Sequence, residues 1–147
     1  MKAEDFMRVA EVVASFSKDP STKVGAVIID DHYNILATGY NGFPRGVADT
    51  EERLCNRSLK YPLTVHAEAN AIAASARTGR RLEGATMIVS SLYPCVDCAG
   101  LIAQAGIKKV IAPRIVNERW SESNQLARVI FVEAGVEVME LGGTDAP

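Results

Sequence analysis

The stretch SESNQLARVIFVEAGVEVMEL, residues 121–141, decides the architecture. From Ser121 to Ala134 it has the length and apolar spacing of a helix, and Val136 to Leu141 then reads as a strand. Another strand, Lys109 to Ala112, lies upstream. Two neighbouring strands joined through a helix must run parallel, because a crossover returns the chain to the same end of the sheet. The close of the chain is therefore a strand–helix–strand unit with a parallel pair.

Working back from that unit, Cys95 to Ala105 has helical apolar spacing, with Gly106 where a C-cap belongs. Thr86 to Ser91 (TMIVSS) reads as a strand. His66 to Ala76 reads as a helix in which six of the ten residues from Ala67 are alanine, so neighbours can approach it closely. Val24 to Ile29 and Ile35 to Tyr40 flank the turn-forming DDHYN and read as a hairpin. Phe6, Val9, Ala10, Val13 and Phe16 recur at helical intervals from Ala3 to Phe16, and KDPST ends that helix. The expected order is αββαβαβαβ: one three-layer α/β domain over residues 1–141, a five-stranded mixed sheet with helices on both faces, and a flexible tail at 142–147. Residues 41–64, NGFPRGVADTEERLCNRSLKYPLT, show Gly, Pro and no period. A loop that long inside a compact domain usually serves binding, which makes it a candidate substrate loop.

The 147 residues suffice for one core burying roughly 70% of the unfolded surface. Net charge is −2, so no overall positive field draws the chain to nucleic acid or anionic lipid. Glu4, Asp5 and Glu11 interrupt the apolar pattern of the N-terminus, which fits neither a secretory segment nor a membrane span. A cytoplasmic protein is the simplest expectation. Three cysteines, two of them spaced Cys-x-x-Cys, suggest metal or redox chemistry in a reducing compartment rather than a disulfide framework.

Cys95 and Cys98 follow Pro94 directly after a strand, so both thiols should sit in the first turn of a helix, where free N–H groups favour thiolate. With His66 they make a three-ligand set for Zn2+, which accepts imidazole nitrogen and thiolate sulfur. A structural zinc would want a fourth ligand, for which the chain offers Cys55 in the long loop or His32 in the DDHYN turn. Each has a plainer reading, as a small hydrophobe and as an exposed turn residue. Three ligands with an open position is the catalytic arrangement. Glu68, two residues after His66, is either an exposed helix glutamate or the carboxylate that shuttles protons beside the metal. A thioredoxin-like dithiol would leave His66 and Glu68 unexplained.

The pattern H-x-E followed by P-C-x-x-C makes the chain resemble the zinc-dependent nucleobase deaminases. KDPSTKVGAVIID (18–30), GYNGFPRG (39–46), KYPLTVHAEANAI (60–72) and LYPCVDCAGLIAQAGIKKVI (92–111) are similar to the deoxycytidylate (dCMP) deaminases among them. The resemblance implies the cytidine-deaminase-like fold, zinc on His66, Cys95 and Cys98, and Glu68 as proton carrier. In that chemistry water activated by zinc attacks C4 of cytosine, while the glutamate protonates N3 and then the departing ammonia. It further implies that the Ala67 backbone holds the base O2, that Asn41 faces the deoxyribose hydroxyl and that Val27 lines the substrate site. Gly42, Arg45 and Gly46 would lie near an effector site for dCTP and dTTP, with Mg2+ accompanying the nucleotide. The family's usual homohexamer, or a dimer as its unit, would be the assembly.

A monophosphate needs Arg, Lys or backbone N–H groups beside the sugar. Lys18, Lys23, Arg45, Arg57 and Arg114 are candidates, with Lys23 and Arg114 best placed. RIVNERWSESNQLAR (114–128) departs from the tyrosine-containing segment common in the family, and Trp120 is expected either in a related place or packed on the last helix. Three rivals share these motifs. They are the same zinc chemistry on another nucleotide (5-substituted dCMP or a purine nucleotide), a tRNA adenosine deaminase, against which the acidic balance counts, and a non-enzymatic zinc module. Free-nucleoside deaminases would show an antiparallel pair where 121–134 predicts a parallel one.

Overall fold

A 3-10 turn at Ala3–Phe6 runs into helix α1 (Met7–Ala14), whose Phe6, Ala10 and Val13 side is buried. The computed structural model describes residues 1–115 and 121–142. After α1 come β1 (Gly25–Ile29), β2 (Ile35–Tyr40), α2 (Glu51–Cys55), α3 (Arg57–Leu63), α4 (Ala67–Thr78), β3 (Thr86–Val89), α5 (Val96–Gln104), β4 (Lys109–Pro113), α6 (Ser121–Ala134) and β5 (Glu137–Leu141). The strands form one sheet in the order β2-β1-β3-β4-β5. β1 pairs antiparallel with β2 and with β3, Val27 standing opposite Thr38 and Ile88. β3, β4 and β5 run parallel, with Met87 opposite Val110 and Val110 opposite Val138. The crossover read from residues 121–141 is therefore present, and the sheet is mixed.

Strand alternation divides the core into two faces. Ala26, Ile28, Met87, Val89, Val110 and Ala112 meet α4, α5 and α6 through Ala67, Ala71, Ala99, Ile102, Ala127 and Phe131. Val27, Ile29, Ile88 and Ile111 meet α1 through Phe6, Ala10 and Val13. Burial of both faces explains why these strands read as continuous apolar runs. The registers also place the start of β1 beside the ends of β2 and β3, and β4 runs parallel to β3, so the loops after Tyr40, Val89 and Pro113 share one end of the sheet. That end is where α/β sheets bind ligands.

One expectation needs correction. Residues 41–64 are not a structureless loop, for they contain α2 and α3. Each starts at a side-chain cap: Thr50 accepts from the Arg53 N–H and Asn56 from the Ser58 N–H. Helices of one or two turns are too short to show an apolar period, and Pro62 lies inside α3. What fastens α3 is a buried ion pair, Lys60 Nζ to Asp19 Oδ1 at 3.1 Å, with the lysine 4% exposed. Trp120 and the tail beyond Gly142 lie outside the described residues.

Candidate active site

α4 is set against the sheet by Gly39 of β2. A Cβ there would lie 2.4 Å from the Ala71 nitrogen and 2.5 Å from the Ala67 oxygen, so only glycine allows this approach. The first turn is also tied down by Asn70, whose Nδ2 donates to the Tyr40 carbonyl at 2.8 Å and the Val65 carbonyl at 3.3 Å. A two-bond bridge between Gly42 and Val65 aligns the approach to His66. His66 is the N-cap of α4, with extended backbone and no capping bond from its side chain. Across from it, Cys95 is the N-cap of α5 and Cys98 sits in that helix's first turn.

The three side chains meet. His66 Nδ1 lies 3.5 Å from Cys95 Sγ and 3.5 Å from Cys98 Sγ. A tetrahedral zinc with N and S bonds of about 2.05 and 2.3 Å needs ligand N–S separations of about 3.5 Å, so the donors stand at the spacing this ion requires. No fourth His, Cys, Asp or Glu joins the group among the described residues. The three side chains titrate unequally, and it is Cys95 whose thiolate favours a cation. A hydrogen bond from the Cys98 thiol, aided by His66 and opposed by burial, pulls Cys95 down to about 4, while the same bond and burial push Cys98 far up. The bond to Cys95 holds the His66 pKa above its usual value.

Glu68, on the first turn of α4, is 5% exposed. Burial raises its pKa from 4.5 to about 7, against the lowering effect of its own backbone N–H, with Cys95 raising it further and His66 lowering it. Among the described residues it makes no salt bridge. A carboxyl balanced between its two protonation states near neutrality can both accept and donate a proton. The exposed-glutamate reading is thereby excluded.

Residues 1–113 match the family model described as the cytidine and deoxycytidylate deaminase zinc-binding region. The chain belongs to this deaminase family. A deaminase of Aliivibrio fischeri, uncharacterised and encoded in the luxG 3' region, is 46% identical over 142 residues, spanning 92% of this chain and 90% of its own. The deoxycytidylate deaminase of Homo sapiens is 41% identical over 140 residues, 90% of this chain and 75% of its own. The crystal structure of dCMP deaminase from cyanophage S-TIM5 in complex with dCMP and dUMP superposes with a TM-score of 0.75 at 31% identity, covering 96% of this chain and 99% of that one. His66, Cys95 and Cys98 are the residues of this deaminase that fit its zinc.

Other candidates of the deaminase fall less evenly. Lys23, before β1, and Arg114, after β4, are both exposed and both at the zinc end of the sheet, with the Lys23 ammonium bonded to the Ser17 carbonyl. Asn41 is buried, its Oδ1 accepting from Val24 N–H and its Nδ2 donating to the Thr22 carbonyl, both at 2.9 Å. One N–H and one lone pair of its amide remain for a sugar hydroxyl. Ala67 is fully buried at the head of α4, and Gly42, Arg45 and Gly46 lie in the partly exposed segment after β2. Val27 is not brought to the site. It packs on Phe6, Ala10 and Val13 across the sheet, and its neighbours Ala26 and Ile28 face the zinc helices instead. His32 is exposed in the β1–β2 turn, and Cys55 is exposed at the end of α2 outside the ligand group. Asn70 was missed by sequence reasoning, its only signal being an amide among alanines.

Proposed function

We propose that this protein hydrolyses dCMP to dUMP and ammonia. One observation carries the reading: a buried carboxyl, Glu68, poised near neutrality beside a zinc site of three protein ligands. The S-TIM5 relative bound to dCMP and dUMP supports the choice of base and sugar, and the parallel β4–β5 pair separates the chain from the free-nucleoside class. Zinc, when held by His66, Cys95 and Cys98, supplies Lewis-acid activation of the attacking water. Glu68 takes one proton from that water and passes it to N3 of the base as the oxygen adds to C4; it then takes the remaining proton from the C4 hydroxyl and delivers it to the amine, so that the C4=O bond forms as the C4–N bond breaks, water enters and ammonia leaves. The Ala67 N–H holds O2 of the base, Asn41 meets the sugar hydroxyl with its remaining donor and acceptor, and Lys23 and Arg114 supply charge for the phosphate.

Residues 1–141 act as one deaminase domain, in a homohexamer or a dimer and in the cytoplasm. No helix among the described residues is long and apolar enough to cross a membrane. The Gly42–Val65 bridge joins the 42–46 segment to the residue preceding His66, a short path by which dCTP or dTTP, with Mg2+, would influence the metal ligand. The test is ammonia release by zinc-loaded protein from dCMP, CMP, deoxycytidine, 5-methyl-dCMP, dAMP and dGMP, repeated with Glu68→Gln. Preference for dCMP, lost in the variant while its zinc content is unchanged, is expected. Undiminished turnover by Glu68→Gln would overturn the proton-carrier role, and turnover of a different nucleotide alone would overturn the substrate.

A further inference from the structure

Cys95 stands under two demands. As N-cap of α5 it occupies the place where an oxygen-bearing side chain normally serves the free N–H groups of the first turn, yet as a metal ligand it must keep its sulfur aimed at the ion. Its sulfur accepts the Cys98 N–H at 3.5 Å, which leaves the Val96 N–H to be satisfied elsewhere. α6 supplies the missing acceptor, for Ser123 Oγ takes the Val96 N–H at 3.0 Å. The next residue, Asn124, is 9% exposed, and its Nδ2 donates to the Pro94 carbonyl at 3.1 Å and reaches the Tyr93 carbonyl at 3.4 Å. Peptide groups on both sides of Cys95 are thus held by two adjacent side chains from a distant part of the sequence.

The support is itself firm. Ala127 and Phe131 anchor α6 in the core, and Phe131 meets the Tyr93 ring edge-on with centroids 6.3 Å apart. Arg128 lies over the Tyr93 ring, 5.7 Å from its centroid, and grips Glu140 of β5 through Nε and Nη2 at 3.1 and 2.7 Å. Hydrogen bonds to the groups behind a metal ligand fix its direction, and their loss commonly costs about 10- to 100-fold in metal affinity or activity.

We propose that Ser123 and Asn124 are positioning residues for the zinc ligand Cys95, fixing the turn that presents its sulfur. The proposal rests on the zinc reading of the site and is independent of which nucleotide is the substrate. The test compares the parent protein with Asn124→Leu, which keeps the branched skeleton and removes both donors, and with Ser123→Ala and Ser123→Thr, of which only the threonine keeps the hydroxyl. Zinc release to a chromophoric chelator and the visible spectrum of the cobalt-substituted protein are measured, alongside urea unfolding.

Asn124→Leu and Ser123→Ala are expected to release zinc about tenfold faster or more and to shift the cobalt bands, with Ser123→Thr restoring the parent values. Lower unfolding stability with unchanged zinc release and an unchanged cobalt spectrum would assign these side chains to the fold alone and overturn the proposal. Should Asn124→Leu fail to fold, the Ser123 pair decides: equal and parent-like release from both overturns it. A parent protein that binds no zinc would instead refute the metal site itself, which separates the two failures.

Discussion

Gly39→Ala puts one methyl group between β2 and the helix that carries His66 and Glu68. The new Cβ would meet only backbone: Ala71 N at 2.4 Å, Ala67 O at 2.5 Å and Asn70 C at 2.9 Å. Ordinary contact begins at 3.4 Å, so the head of α4 must withdraw by about 1 Å, since no flexible side chain can yield instead. Overpacking of this kind costs about 1–3 kcal/mol. A displacement of about 1 Å at a catalytic group costs on the order of 100-fold in rate. Gly25→Ala is the matched comparison, because its Cβ would lie 2.1 Å from the Ala10 oxygen and press on α1, across the sheet from the zinc ligands. Urea unfolding of the zinc-loaded proteins should show both variants destabilised, whereas kcat and zinc content should fall only in Gly39→Ala. Equal turnover in the two would refute the claim that close packing of α4 on β2 sets the site.

Lys60→Met breaks a buried ion pair and should cost about 3 kcal/mol in urea unfolding, while Lys18→Ala, in the exposed pair with Asp49, should leave the midpoint where it was. Burial raises the Asp19 pKa, but bonds from the Ser21 and Thr22 N–H groups and from Lys60 outweigh it and hold the carboxyl below its ordinary 3.8. Its stabilisation is therefore present above that value and lost as pH falls through the lower folded one, so the gap between parent and Lys60→Met should close in acid; a gap constant with pH would refute the pairing. Lys23→Gln with Arg114→Gln should raise KM for dCMP roughly 10- to 100-fold, the worth of a charged hydrogen bond, and leave deoxycytidine kinetics unchanged if these residues hold phosphate. Zinc at about a hundredfold above its Kd should stabilise the parent by about 2.7 kcal/mol, read as a rise in Tm that Cys95→Ser abolishes. Gly100→Ala, with open space at its Cβ, should stabilise α5 by about 0.5–1 kcal/mol, checked by the same unfolding curves.

The legible parts of the sequence were those whose physics is local. Residues 121–134 carried a helical period long enough to count, and one helix in that place fixed the direction of β5. The ligands were legible because zinc restricts its donors to few residue types at short spacings, so Cys95 and Cys98 announce each other and Pro94 places them at a helix start. Val27 shows where local reading stops. The two faces of a fully buried strand are equally apolar, so nothing in VGAVII says which residues look toward α4 and which toward α1; that is settled by α1 covering the opposite face. The α2 and α3 helices escaped local reading for a related reason: α3 is held by Lys60 through Asp19, a partner 41 residues away, and neither helix is long enough to show a period.

The same division runs through the site. Glu68 is two residues from His66 in sequence, but its protonation near neutrality comes from burial under other elements, and no motif encodes that. Asn41 illustrates the converse: a residue that looks available for a ligand is already holding the backbone of Thr22 and Val24 together. Replacing it would therefore disturb the entry to β1 as well as any sugar contact. Asn41→Asp keeps the acceptor for Val24 N–H while removing the donor to Thr22, so it should lower stability as well as weaken nucleotide binding. A fall in dCMP affinity with unchanged urea unfolding would show instead that the amide's service to a sugar hydroxyl outweighs its service to the fold.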